Sequence, residues 1–358
     1  MAPSVSERQC LILAGFLLCA MIFAEPASAQ DSTIRYGRGV PSAVRLINDR
    51  GLGYLAAIQQ EDGAWPGPVN NGSAITGICV MAFMASGGDP DYGSYAENIR
   101  RALRRIVLDQ DAKTGHITGG GHGSMYHHGL AMLALSEAYG VVNERLLWQG
   151  TDVPVEDRRT IGQALELAVR CALTAQRKNP FGAWRYSPNS QDADTTVSGT
   201  VLMGLLGARN AGIEIPNEAV EKALSFFKLN TMVDGNVSYQ PGQSHGDGIC
   251  RASIATLVYA VGKRKDLPEY KAAAAFIKSR IDQDVKQHPF YTRYYMAQAL
   301  FHSDLDAWKA WNQRVVEKLR KMQKADGSIP SPYGHAYGTG MSVLALALNY
   351  RLLPVYER

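Results

Sequence analysis

The sequence is poor in the features that most quickly assign a chain to a class. It has five cysteines in 358 residues, and two of them, Cys10 and Cys19, fall in an N-terminal apolar segment. The remaining Cys79, Cys171 and Cys250 are odd in number and far apart, which excludes a disulfide framework. A net charge of +4, with no basic run interleaved with aromatics, excludes nucleic acid as a partner. No Walker loop, dinucleotide fingerprint, thioester or Ser-His-Asp set is present, so nucleotide chemistry and serine-type acyl transfer have no foothold. Strand alternation is missing too; Val237-Ser238-Tyr239 is too short to count.

Residues 11–24 (LILAGFLLCAMIFA) are apolar, but 14 residues fall short of the roughly 20 needed to span a bilayer. Ala27-Ser28-Ala29 follows, the small-x-small pattern accepted by a signal peptidase. The expectation is an export signal over 1–29, cleaved between Ala29 and Gln30, with an uncleaved anchor as the alternative. Export to the periplasm or the exterior then leaves no stable transmembrane segment. A linker over 30–42, one domain over 43–352 and a tail over 353–358 complete the division.

Within the domain a short pattern recurs: a small or polar residue, Gly, four mostly apolar residues, then Ala or Gly before a large apolar one. It runs Thr76-Gly77…Ala82-Phe83, His128-Gly129…Ala134-Leu135, Ser198-Gly199…Gly204-Leu205 and Thr339-Gly340…Ala345-Leu346. Weaker copies start at Arg251-Ala252 and Arg293-Tyr294. Each copy is apolar nearly all round, as a helix buried on every side must be. The segments before them (44–60, 97–110, 157–176, 217–229, 269–283 and 306–323) mix charge with apolar residues at helical spacing. Ile99, Leu103, Ile106 and Val107 form one such face, flanked by arginines. Acid–glycine turns such as Asp62-Gly63, Asp234-Gly235 and Asp326-Gly327 join the two kinds of segment. Six half-exposed helices, each followed by a buried one, predict an all-α fold, a closed double ring of six helix pairs.

Gln59-x-x-Asp62-Gly63-Ala64-Trp65 resembles the Gln-Trp repeat of squalene and oxidosqualene cyclases, and 176–184 and Gln323-x-x-Asp326-Gly327 repeat it with decay. With the six pairs, this is similar to the α/α-toroid of terpene cyclases and protein prenyltransferase β-subunits, over residues 43–350. It also resembles the single-toroid, secreted squalene cyclase-like proteins of bacteria. Hopene-forming members carry two toroids; this chain has room for one. By the same resemblance Trp65 and Trp184 are structural staples.

Asp192-Ala193-Asp194-Thr195-Thr196 resembles the Asp-x-Asp-Asp-Thr motif with which class II cyclases protonate an alkene or epoxide. The resemblance makes Asp194 the proton donor and Asp192 its modulator; Thr195 stands where the family has a third acid. Such a donor must stay neutral until used, which burial or a like-charged neighbour favours. Read from the residues alone, Asp194 or Thr195 also suits the N-cap of the third buried helix. Both readings stay open. Cyclase chemistry further implies aromatic faces around a developing cation. Tyr186, Tyr294 and Tyr337 are the expected cavity aromatics, over a floor of Thr76, His128, Ser198 and Thr339, the residues preceding each repeat glycine.

Two metal readings stand beside these. His116, His122, His127 and His128 crowd a glycine-rich stretch, but their spacing fits no defined zinc motif. Asp247, Cys250 and His335 partly resemble the zinc set of protein prenyltransferases. The expectation is no cofactor, with zinc at those three residues as the alternative. Three functions follow: acid-catalysed cyclisation or transfer on an isoprenoid-type apolar substrate, a non-catalytic toroid that binds a ligand or partner, and a secreted polysaccharide-acting enzyme. An apolar small molecule is the partner expected under the first.

Overall fold

The computed structural model describes residues 39–67, 72–118, 123–243 and 248–352. The expected export signal, the linker up to residue 38 and the tail over 353–358 lie outside the described residues, as do His122 and Asp247. Among the described residues, six outer helices alternate with six inner ones. The outer set is α1 (Ser42–Ile58), α3 (Ala96–Leu108), α5 (Ile161–Lys178), α7 (Asn217–Asn230), α9 (Pro268–Lys278) and α11 (Leu305–Met322). The inner set is α2 (Ser73–Ala85), α4 (Ser124–Ala138), α6 (Thr195–Asn210), α8 (Ile249–Val261), α10 (Pro289–Ser303) and α12 (His335–Leu346). No described residue belongs to a strand; the only bridges are isolated, Gln110 with Ile117 and Thr231 with Val237, each across an outer-to-inner turn.

Each inner helix packs on the next, and α12 packs back on α2, so the inner ring closes. The chain is an α/α-toroid. Amphipathicity makes the outer layer: on α3, Ile99, Leu103, Ile106 and Val107 are fully buried, while Arg100 and Arg104 pair with Glu97 on the other side. Local signals set the ends. Thr160 and Gln163 form a reciprocal capping box at the start of α5, four residues beyond the start at 157 that periodicity suggests. Helix α9 stops at Lys278 rather than 283, where Arg280 donates to the Phe276 carbonyl at 3.1 Å and lies 3.5 Å from its ring centroid.

The repeat glycines place the inner helices side by side. A Cβ on Gly129 would sit 2.9 Å from the Thr200 backbone on α6, and one on Gly340 would sit 2.9 Å from Ile78 on α2. Four glutamines then fasten the layers. Each stands within two residues of the C-terminal end of an outer helix and donates its amide to two carbonyls, one in the following turn and one on the next outer helix. Gln59 bonds Gly63 and Asn98, Gln110 bonds Gly115 and Ala164, Gln176 bonds Gly182 and Ala219, and Gln323 bonds Gly327 and Ile47, all at 2.8–3.1 Å. Trp65 and Trp184 lie buried in these turns and donate back to Leu55 and Ala172 of their own outer helices at 2.8 Å.

Candidate functional site

The inner helices enclose a cavity of about 860 Å³. Its aromatic wall is Tyr126, Tyr186, Tyr239, Tyr291, Tyr333 and Tyr337, and Ile75, Ile78, Leu130 and Met341 supply aliphatic surface. Thr196, His127, Cys250, Arg251 and His288 add polar atoms, and no described lining residue is Asp or Glu. Tyr333 is 48% exposed, so the cavity meets solvent there.

The helical phase explains which residues reach this wall. With the repeat glycine against the next inner helix, the positions three before and one after it turn inward. These are Ala74 and Ile78, Tyr126 and Leu130, and Tyr337 and Met341. The position just before the glycine turns away from the cavity, which corrects the expected polar floor. Thr76, His128, Ser198 and Thr339 are wholly buried and line no part of the cavity. Three of them bond the outer-to-inner turn instead. The Ser198 hydroxyl accepts from the Trp184 amide at 3.0 Å and donates to its carbonyl at 2.9 Å. Thr339 accepts from the Ile329 amide at 2.9 Å. His128 Nδ1 accepts from the Ile117 amide at 3.1 Å, so Nε2 carries the proton and donates to the Ala168 carbonyl at 3.0 Å.

Of the expected cavity aromatics, Tyr186 and Tyr337 lie on the wall. Tyr294 does not: it occupies the repeat's glycine position and is 2% exposed, its ring 4.9 Å from that of Tyr295. Tyr126 and Tyr291, each three residues before the repeat's glycine position, are wall residues that sequence reasoning missed. The offset of three residues from the repeat glycine identifies both once the glycine's packing partner has fixed which direction is inward.

Asp194 caps α6. Its Oδ1 accepts from the Thr196 amide (2.9 Å), the Val197 amide (2.8 Å) and the Thr196 hydroxyl (2.7 Å). Its Oδ2 has no hydrogen bond, and the nearest cation is Arg185 Nε at 3.7 Å. Burial pushes the Asp194 carboxyl above its ordinary range, opposed by the Thr196 hydroxyl, the two amides and Arg185. Asp192 stands outside, half exposed and ion-paired with Arg185. Arg185 thus lies between the two acids, and the expected like-charge coupling gives way to two carboxylates bridged by one guanidinium. The same guanidinium lies 5.0 Å from the Tyr186 ring and 5.7 Å from that of Tyr239, whose hydroxyls meet at 2.5 Å. Thr195 turns away, donating to the Ser238 carbonyl at 2.9 Å.

Asp194 is fully buried and is not a lining residue, yet a hydrogen-bonded path leads from it to the wall. The Tyr126 hydroxyl lies 2.5 Å from Thr196 Oγ1, which donates to Asp194. A threonine hydroxyl has one proton to give, so with Asp194 ionised Tyr126 donates to Thr196. Thr200 likewise donates to the Thr196 carbonyl at 3.0 Å and accepts from Tyr291 and Tyr295.

The metal candidates fare differently. Among the described residues no group of three or more His, Cys, Asp or Glu side chains is placed to hold an ion. Cys250 lines the cavity, His335 opens α12 without lining it, and Asp247 is outside the described residues. In the histidine cluster His128 has both ring nitrogens on backbone groups, with burial pushing its pKa down to about 3. His127 lines the cavity and accepts from the Ala74 amide at 3.3 Å.

No family model matches the chain, and no curated protein sequence matches it. Solved structures do. The chain is similar to the type II terpene cyclase MstE from Scytonema in complex with geranylgeranyl dihydroxybenzoate, its substrate. That match has a TM-score of 0.58 at 15% identity, over 87% of this chain and 98% of that one. The chain is also similar to an inactive variant of the α-1,6-mannanase GH76A of Salegentibacter sp. HEL1_6 in complex with α-1,6-mannotriose. There the TM-score is 0.63 at 10% identity, over 86% and 99% of the two chains. At these identities the likeness is one of fold, the α/α-toroid, which hosts both activities.

Proposed function

We propose that this toroid takes an isoprenoid-type apolar chain into its tyrosine-lined cavity and, with Asp194 as the acid, begins a protonation-driven cyclisation or transfer on it. The make-up of the wall carries the reading: six tyrosines with aliphatic side chains such as Ile75, Ile78, Leu130, Val285 and Met341, and no carboxylate among the described lining residues. Ring faces of this kind stabilise a developing cation, and an apolar wall rewards burial of a hydrocarbon chain. Asp194 suits the donor's part because burial favours its neutral form. Asp192 then acts at one remove, by holding Arg185.

The alternative on a similar toroid, glycoside cleavage, ordinarily needs two carboxylates flanking the scissile bond. The inactive mannanase variant replaces two adjacent aspartates, whereas here one acid is sealed and the other faces solvent. The reading aligns the chain with the prenyltransferase and squalene cyclase repeat proteins, acting outside the cytosol after cleavage near Gln30. No cofactor forms part of it.

Isothermal titration with geranylgeraniol and, separately, with α-1,6-mannotetraose tests the proposal. Saturable binding of the isoprenoid alone is the expected result. Binding or cleavage of the oligosaccharide, with none of the isoprenoid, overturns it.

A further inference from the structure

Asp194 poses a problem for any reaction in the cavity. The acid is fully buried and lies behind the wall, not on it. Its two oxygens are also unequal. Oδ1 is held by three donors, while Oδ2 has no hydrogen bond and faces Arg185 at 3.7 Å. The path that reaches the cavity starts from Oδ1 and runs through the Thr196 hydroxyl, 2.7 Å away, to the Tyr126 hydroxyl, 2.5 Å further on. Both Thr196 and Tyr126 line the cavity.

We infer that Tyr126 delivers the proton of Asp194 to the bound ligand, with Thr196 passing it between them; the inference rests on the reading that the cavity holds an isoprenoid alkene.

The direction of the chain depends on the charge of the acid. With Asp194 ionised, Tyr126 donates to Thr196 and Thr196 donates to Asp194, so the Tyr126 oxygen offers only lone pairs to the cavity. With Asp194 neutral and its proton on Oδ1, the sequence reverses. Asp194 donates to Thr196, Thr196 donates to Tyr126, and the Tyr126 proton is released to point into the cavity. One proton added at the acid therefore turns the wall from an acceptor into a donor, with no movement of the backbone.

The transfer balances. The ligand's π pair forms a new C–H bond with the Tyr126 proton. The Thr196 proton moves to the Tyr126 oxygen and the Asp194 proton moves to Thr196. Asp194 is left as carboxylate, and the chain is left in its ionised-state direction. The carbocation is quenched when it loses a proton to a cavity water, and the hydronium so formed, exchanging with solvent, returns a proton to Asp194 through Tyr126 and Thr196 by the same path. Because the three proton movements are concerted, no phenolate accumulates. That matters, since burial and the neighbouring Asp194 charge push the Tyr126 phenol well above its ordinary range.

Thr195, at the position of the motif's third acid, is turned to the Ser238 carbonyl and is no part of the path. The side-chain contact with Asp194 comes from Thr196, which stands at the motif's own threonine position.

The test uses the full-length protein with geranylgeraniol in deuterium oxide. Deuterium fixed on carbon is read by mass spectrometry, and binding is read by calorimetry. Tyr126→Phe keeps the ring, Thr196→Val keeps the backbone donor to Asp194, and Asp194→Asn keeps the cap. All three are expected to bind the probe within about twofold of the parent and to lose carbon deuteration by about a hundredfold or more. The parent's rate in mixed light and heavy water is expected to bow below a straight line, as several protons in flight require. If Tyr126→Phe deuterates the probe at the parent's rate while Asp194→Asn is inactive, the relay is overturned and direct protonation by Asp194 stands. Loss of binding in Tyr126→Phe overturns it as well, by making Tyr126 a holding residue. A parent protein that binds the probe and fixes no deuterium removes the relay together with the acid reading of Asp194.

Discussion

Gln323, at the end of the last outer helix, donates its side-chain amide to the carbonyl of Ile47 on the first, at 2.9 Å. The two residues are 276 apart in sequence, and their bond repeats across the ring's seam what Gln59, Gln110 and Gln176 do within it. The ring is therefore closed by the same device that builds it.

Gln323→Leu should lower stability by about 2 kcal/mol or more, because two carbonyls, on Ile47 and Gly327, lose their donor in a half-buried site. Gln283→Leu is the control. Gln283 ends the corresponding segment of the fifth unit but is exposed, and its substitution should stay within about 0.5 kcal/mol. Denaturant titration of both variants checks the pair. Equal effects would mean that the seam bond contributes nothing.

Gly115 has φ 75°, and a Cβ there would lie 2.1 Å from the Leu167 carbonyl oxygen of the next outer helix. Gly93 has φ 86° with open space around it. Gly93→Ala should cost about 1–2 kcal/mol from the backbone alone. Gly115→Ala must add a backbone clash, so its melting temperature should fall clearly further. Similar melting temperatures would show that the turn does not press on α5.

His128 is buried and neutral, its pKa lowered to about 3 by burial first and by His116 second. A histidine whose folded pKa is depressed contributes stability above its unfolded value, near 6.5, and that contribution is lost as pH falls toward 3. A pKa that differs by one between the folded and unfolded chain is worth roughly 1.4 kcal/mol. The protein should therefore lose stability steadily between pH 6.5 and 3. His128→Ser, the residue used in the third repeat, should be less stable at neutral pH and shallower in its dependence on acid. Parallel stability profiles for the two proteins would rule out His128 as the titrating group.

The sign is opposite for Asp194. Its folded pKa is raised, so its contribution is fully present below the ordinary carboxylate pKa and declines as pH rises through the folded value. Asp194→Asn retains an acceptor for the Thr196 and Val197 amides. The variant should gain on the parent in melting temperature from about pH 3 to about pH 7. A variant that instead loses ground on going to neutral pH would mean that the ion pair with Arg185 outweighs desolvation.

Much of this architecture is legible in the sequence because helices announce themselves locally. The apolar stripe at Ile99, Leu103, Ile106 and Val107, the all-apolar run from Ile78 to Ala85, and the glutamine–glycine turns each carry their own signal over a dozen residues. The cap at Asp194 is equally local, since its partners are the two amides that follow it. The sequence points to Tyr294 and passes over Tyr126, because both stand in apolar helical runs with no local signal to separate them.

What the sequence by itself determined is the order and exposure of the helices, and with them the toroid. Tertiary structure alone decided the phase. Periodicity gives the angle between Tyr126, His128 and Gly129 on one helix, but not which direction is inward. That direction is set by what the glycine packs against, the Thr200 backbone on α6. The contact turns His128 onto the Ile117 amide and Tyr126 onto the cavity, where its hydroxyl meets Thr196, 70 residues further along the chain. A pairing that distant is specified by the closing of the ring and by no local preference.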